Sequence, residues 1–211
     1  MLIEIVVYQG VDELDAIGPL EVLRNARTGG VDIETRLVSL EEEAEVIASH
    51  GLRFRPDGVL GLHGRPDVLL VPGGGWANRT GPGAWAEAQR GALPRAIARS
   101  NREGTILASV CTGTMLLAAA GVISGRNAVT HRSAIDDLRN AGAHVIDARV
   151  VDDGDIITSG GVASGLDLGL YLVERFANAD MAGKIANAME YERRGPVWKR
   201  SERAASAQAR Q

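Results

Sequence analysis

Thr105-Ile-Leu-Ala-Ser-Val110-Cys111-Thr112-Gly113-Thr-Met-Leu-Leu-Ala-Ala-Ala120-Gly121 is the stretch on which the fold turns. Thr105 to Val110 is a short apolar run after Gly104, which reads as a buried strand. Thr112 to Ala120 reads as a helix closed by Gly121. Cys111 sits between the two, so the local order is strand, cysteine, helix.

Working outward, Leu2 to Tyr8 is rich in Ile and Val and suits a central strand. Gly18-Pro19 precedes an apolar-periodic run, which starts a helix near Gly18. Ile33 to Leu40 alternates as an edge strand, and the acidic cluster Glu41, Glu42, Glu43 and Glu45 follows it as a solvated loop. Val46 to Phe54 suits a short strand or hairpin arm. Asp67 to Val71 is a strand ended sharply by Pro72-Gly73-Gly74-Gly75. Trp85 to Glu103 is helical, with Pro94 kinking or delimiting it.

Beyond Gly121 the pattern gives a strand at Ala128 to Thr130, a helix from Ser133 to Ala141, and strands near His144 to Val151 and Asp155 to Thr158. Helices follow at Ala163 to Phe176 and Ala179 to Tyr191. Alternating strands and helices imply an α/β domain whose mostly parallel sheet is covered on both faces. One domain is expected over residues 1–198, with 199–211 a flexible tail.

Composition excludes several classes. A net charge of -4 argues against a phosphate-neutralising surface, so nucleic acid is not an expected partner. No apolar run approaches the ~20 residues of a membrane span. With one cysteine no internal disulfide can form, and the opening Met-Leu-Ile-Glu lacks the features of a secretory signal. The cytoplasm is the expected compartment.

A parallel sheet gathers function at the carboxyl ends of its strands, where Cys111, Gly73 to Gly75 and the Asp12 to Asp15 loop all fall. Cys111, at a helix amino end, meets backbone N–H groups and a positive dipole that favour the thiolate. An unpaired cysteine is otherwise a small buried hydrophobe, but the strand-Cys-Thr-Gly-helix order resembles a nucleophile elbow. The N–H groups of Gly74 and Thr112 are candidate donors to a developing anion. Asp15 has two readings: a helix cap, or a desolvated carboxyl that moves protons beside the cysteine. His131 is the histidine best placed for the site, whereas His50, His63 and His144 read as loop or structural residues. Trp76 is a candidate pocket wall or an ordinary packing residue. No spacing of histidine and cysteine resembles a zinc site, so no metal is expected, and no phosphate-binding motif implies a nucleotide cofactor.

Five segments resemble the ThiJ/PfpI superfamily, and within it the isonitrile hydratase branch. They are Leu14 to Val22, Val71 to Gly75, Ser109 to Gly113, Ala128 to His131 and Ile157 to Asp167. The resemblance spans roughly Ile3 to Trp198. It implies a flavodoxin-like three-layer sandwich, usually a homodimer, with a nucleophilic cysteine matched by Cys111, an acidic residue matched by Asp15, and a threonine matched by Thr112. Gly75, His131 and Gly161 join Gly74 and Trp76 as implied substrate-binding positions. The implied reaction adds the Cys111 thiolate to an isonitrile while Asp15 gives a proton. Water oriented by Thr112 and activated by Asp15 then releases an N-substituted formamide. Peptidase-like members have Cys-His-Gly where this chain has Cys111-Thr112-Gly113, and relatives read Thr-His-Trp where it has Thr130-His131-Arg132. Glyoxalase or amidohydrolase chemistry, and a non-catalytic cysteine redox sensor, are the alternatives. A similar domain also occurs fused to helix-turn-helix regulators, but the residues after Trp198 leave no room for one, so transcriptional control is not expected.

Overall fold

The computed structural model describes residues 1–42 and 45–200. Along the first half of the chain run β1 (Leu2–Val6), α1 (Glu13–Thr28), β2 (Glu34–Ser39), β3 (Val46–Ile47), β4 (Arg53–Phe54), β5 (Gly58–Val59), β6 (Val68–Val71), α2 (Ala84–Arg90) and α3 (Ala92–Arg102). The second half holds β7 (Ile106–Ser109), α4 (Gly113–Ala119), β8 (Asn127–Ala128), α5 (Ile135–Asn140), β9 (His144–Val145), β10 (Val150–Asp152), β11 (Ile156–Ser159), α6 (Ser164–Phe176), α7 (Ala179–Ala188) and β12 (Trp198–Lys199).

The main sheet has eight strands in the order β12-β10-β11-β7-β6-β1-β2-β5. The six from β11 to β5 are parallel, and only β10 and β12 run against them. All of Val68 to Val71 in β6 is fully buried, as a strand covered on both faces requires.

From β1 the chain steps through α1 to β2, whereas from β6 it steps through α2 and α3 to β7, in the opposite direction. Right-handed crossovers then place α1 and α2–α3 on opposite faces of the sheet. Helices α1, α6 and α7 pack together on one face, and α2, α3 and α4 on the other. The α/β sandwich expected from the sequence is the one the chain adopts. The switch in direction opens a crevice at the carboxyl ends of β1 and β6, next to β7.

Several local expectations are corrected. α1 starts at Glu13, not near Gly18, because Asp12 caps it by accepting from Leu14 N–H; Pro19 lies inside the helix. Its ring packs against α6 at Gly165, where an added Cβ would stand 3.2 Å from Pro19 Cδ. Gly91, at φ 74, divides the expected long helix into α2 and α3, so the break falls before Pro94, which occupies the first turn of α3. Ile33 to Leu40 yields β2 one place in from the edge, because Gly58–Val59 adds β5 outside it. The single strand expected at His144 to Val151 is two, with β9 pairing β8 and β10 joining the main sheet. Lys199 belongs to edge strand β12, and Arg200 N–H still donates to Asp152 O, so the sheet reaches into the expected tail. Of the acidic cluster, Glu41, Glu42 and Glu45 are exposed, while Glu43 and the residues from Ser201 onward lie outside the described ones.

Candidate active site

Cys111 ends β7 and precedes α4 in a left-handed conformation, φ 57, which a residue with a Cβ adopts only under constraint. Its N–H donates to Gly160 O at 2.8 Å, and its carbonyl accepts from Thr130 Oγ1 at 2.9 Å. Gly113 completes the turn. A Cβ there would stand 1.9 Å from Val71 O, so only glycine lets α4 abut the end of β6.

Behind the cysteine lies Asp15, in the first turn of α1 and fully buried. Its Oδ2 accepts from Gly73 N–H at 2.9 Å, while Oδ1 is buried with no hydrogen-bond partner of ordinary geometry. Capping is done by Asp12, so the cap reading of Asp15 falls away. Burial, then the charge of Asp12, pushes the Asp15 carboxyl up to about 7, although Gly73 N–H and the Cys111 thiol act to lower it. Burial, then the Asp15 charge, pushes the Cys111 thiol up to about 12 against the N–H groups of Val162 and Thr112. Two acids side by side in a dry setting resist holding two negative charges. Near neutral pH the Cys111–Asp15 pair therefore does not hold two negative charges, and sulfur, the weaker acid, keeps its proton.

Cys111 and Thr112 open onto a cavity of about 680 Å³, formed by the loops after β1, β6, β7, β8 and β11 together with the β3–β4 hairpin. Asp15 is not among its lining residues. Thr112 is bound differently from expectation: Gly74 N–H donates to Thr112 Oγ1 at 3.0 Å, so Gly74 is no free donor for an anion. Gly75, next along the turn, also lines the cavity, and its N–H makes no hydrogen bond to the described residues. Trp76 lines the cavity but is 7% exposed, its Nε1–H bound to Asp137 and its ring edge-on to Trp85. It is both wall and packing residue. His131 also lines the cavity, its Nδ1 accepting from Ser133 N–H.

Gly161 lines a neighbouring cavity of about 920 Å³ instead. Its missing side chain makes room for the His131 ring, since a Cβ would lie 2.5 Å from His131 Cδ2. The residue that reaches the sulfur from this segment is Val162, at φ 29, which the sequence alone did not single out. His50 is the other addition. It sits in the β3–β4 turn as a loop residue, but the hairpin folds over the cavity and His50 lines it. Asp12, Glu13 and His50 bring three ligand atoms within 4.8 Å of one another, the group best able to hold a cation among the described residues. Glu13 is already engaged by Ser49, His50 and Leu52, so the cluster holds together through its own hydrogen bonds.

The family model DJ-1/PfpI family matches residues 1–175. The chain belongs to the DJ-1/PfpI family. Among its DJ-1/PfpI relatives, isonitrile hydratase from Pseudomonas putida is 32% identical over 184 residues, covering 87% of this chain and 75% of the relative. Parkinson disease protein 7 homolog from Danio rerio is 29% identical over 188 residues, covering 86% and 92%. The crystal structure of a ThiJ/PfpI family protein from Pseudomonas syringae superposes with a TM-score of 0.80 at 30% identity, covering 92% of this chain and 76% of that one.

Proposed function

We propose that this DJ-1/PfpI protein is a cysteine-dependent hydratase that converts an isonitrile to an N-substituted formamide. The observation that supports it most is the Cys111–Asp15 pair, a nucleophile on a strained elbow with a proton-carrying carboxyl sealed behind it. The similarity to an isonitrile hydratase over most of both chains supports the substrate class.

In the first half-reaction Asp15 takes the thiol proton as sulfur attacks the terminal carbon, then delivers that proton to the same carbon. A C–S bond forms and a thioimidate, R–N=CH–S–Cys111, results. A carboxyl held near neutrality is matched to taking and giving one proton at neutral pH. Thr112 orients the turn through its bond to Gly74 N–H, and its N–H faces the sulfur. Water then adds to the thioimidate carbon, and collapse frees the formamide and the thiol.

The redox-sensor reading has less support, because a thiol only 6% exposed gives an oxidant little access. Assembly as a homodimer belongs to the same reading, with the exposed Leu14, Ile47 and Leu52 as apolar surface near the mouth of the site. The test is formamide production from a simple alkyl isonitrile under reducing conditions. Turnover is expected in the wild type and is expected to fall at least ~10³-fold in Cys111→Ala and Asp15→Asn. A folded, reduced wild type inert toward several isonitriles would move the assignment to dicarbonyl or amide substrates.

A further inference from the structure

The second half-reaction needs a proton acceptor on the side from which water arrives. Asp15 approaches the reacting atoms from the protein side only, since it is fully buried and has no face on the cavity. Besides Cys111, the titratable side chains that line the cavity are Asp12, His50 and His131. Asp12 is turned to the α1 terminus, where Oδ1 accepts from Leu14 N–H.

The two histidines are fixed in opposite tautomers by their partners. Ser133 N–H donates to His131 Nδ1 at 3.2 Å, so in the neutral ring the proton is on Nε2, and burial and Arg132 keep that ring neutral. His131 therefore offers the cavity a donor. His50 Nδ1 lies 2.8 Å from Glu13 Oε2, and Glu13 is held ionised, its carboxyl lowered to about 2 chiefly by His50 and backbone N–H groups against its burial. A carboxylate only accepts, so Nδ1 carries the proton, and in the neutral ring Nε2 is left with a lone pair. His50 therefore offers an acceptor. Its side chain is 76% exposed, which lets it exchange protons with bulk water between turnovers. The groups that face it are Glu13, Asp12 and Ser49, so no cation opposes its protonation.

We infer that His50, oriented by Glu13, is the general base for the water that attacks the thioimidate, an inference that rests on the hydratase reading. His50 Nε2 takes one proton from the water as its oxygen bonds to carbon, and that proton passes to the imine nitrogen, giving R–NH–CH(OH)–S–Cys111. The C–S bond then breaks, the hydroxyl proton ends on the departing sulfur, and R–NH–CHO leaves. His131 Nε2–H holds the nitrogen during this step. Glu13 is a positioning residue that fixes the His50 tautomer.

The experiment incubates the full-length, reduced wild type, His50→Gln, Glu13→Gln and Cys111→Ala with cyclohexyl isonitrile. It reads both formamide release and the fraction of protein carrying one isonitrile mass after an acid quench. His50→Gln is expected to release formamide ~10- to 100-fold more slowly with the adduct accumulating on Cys111, and added imidazole restores part of the rate. Glu13→Gln is expected to move the pH midpoint of adduct breakdown downward, a shift that loss of a merely structural clamp would not give. Adduct breakdown at the wild-type rate in His50→Gln, or slow turnover without accumulation, overturns the inference and leaves the hydratase reading standing. Neither adduct nor formamide in the wild type overturns the reading beneath it.

Discussion

Asp15 carries a stability signature as well as a chemical one. Its carboxyl titrates at about 7 in the folded protein against 3.8 as its ordinary value, so between these pH values the folded state holds a proton that the unfolded state has released. Stability is then greatest below about pH 4 as far as this group is concerned, and falls as pH rises toward 7, by on the order of 4 kcal/mol in all. Asp15→Asn is expected to abolish that fall, seen as a thermal midpoint less dependent on pH between 4 and 7; an unchanged dependence would show that Asp15 is not the buried acid. The place of Cys111 and Thr112 at a strand-to-helix turn was legible from their neighbours in sequence, whereas those of Asp15 left it open between a cap and a buried acid, and only the family resemblance favoured the acid. The engagement of Gly74 N–H by Thr112 was not legible, because it depends on where the Thr112 hydroxyl settles in space. Val162 and His50 reach the site only through tertiary folding, and no local pattern marks them.

At the scale of elements, α4 and α6 are seated by glycines at points of closest approach. A Cβ at Gly113 meets backbone at Val71, which cannot retreat without breaking the β6–β7 register, where Val71 faces Ser109. Gly113→Ala is expected to lower unfolding free energy by about 3 kcal/mol and to reduce turnover by displacing the elbow. Gly169 on α6 lies against α1, where an added Cβ would stand 2.9 Å from Val22 Cβ. Gly169→Ala is expected to cost about 1 to 3 kcal/mol while leaving the chemistry intact, measured by denaturant titration beside the formamide assay. Strands and helices were readable as types because apolar runs and 3.6-residue periodicity are local properties. Their limits were harder to read: Pro19 resembles a helix start, yet Asp12 supplies the actual cap seven residues earlier by position. The break at Gly91 needs a positive φ that Pro94 does not provide.

For the molecule as a whole, sheet order follows from right-handed crossovers, and the reversal between β1 and β6 creates the crevice that the site occupies. No helix among the described residues is long and apolar enough to cross a membrane. The β3–β4 hairpin is the part of the architecture that sequence alone left ambiguous, and it is the part that folds over the cavity and delivers His50. It also exposes Ile47 and Leu52, which with Leu14 are the exposed apolar side chains proposed above to meet a second copy of the chain. Light scattering is expected to return twice the chain mass, and Ile47→Lys with Leu52→Lys to return a monomer. A monomeric wild type across micromolar concentrations would remove the dimer from the account.

The most direct measurement on the central claim is a rapid quench of the reduced wild type with ¹³C-labelled alkyl isonitrile, followed by peptide mass analysis. Labelled carbon is expected on the peptide bearing Cys111 before formamide reaches its steady rate, with neither adduct nor formamide in Cys111→Ala. Formamide formed by Cys111→Ala at the wild-type rate, with no label on any peptide, would contradict that claim.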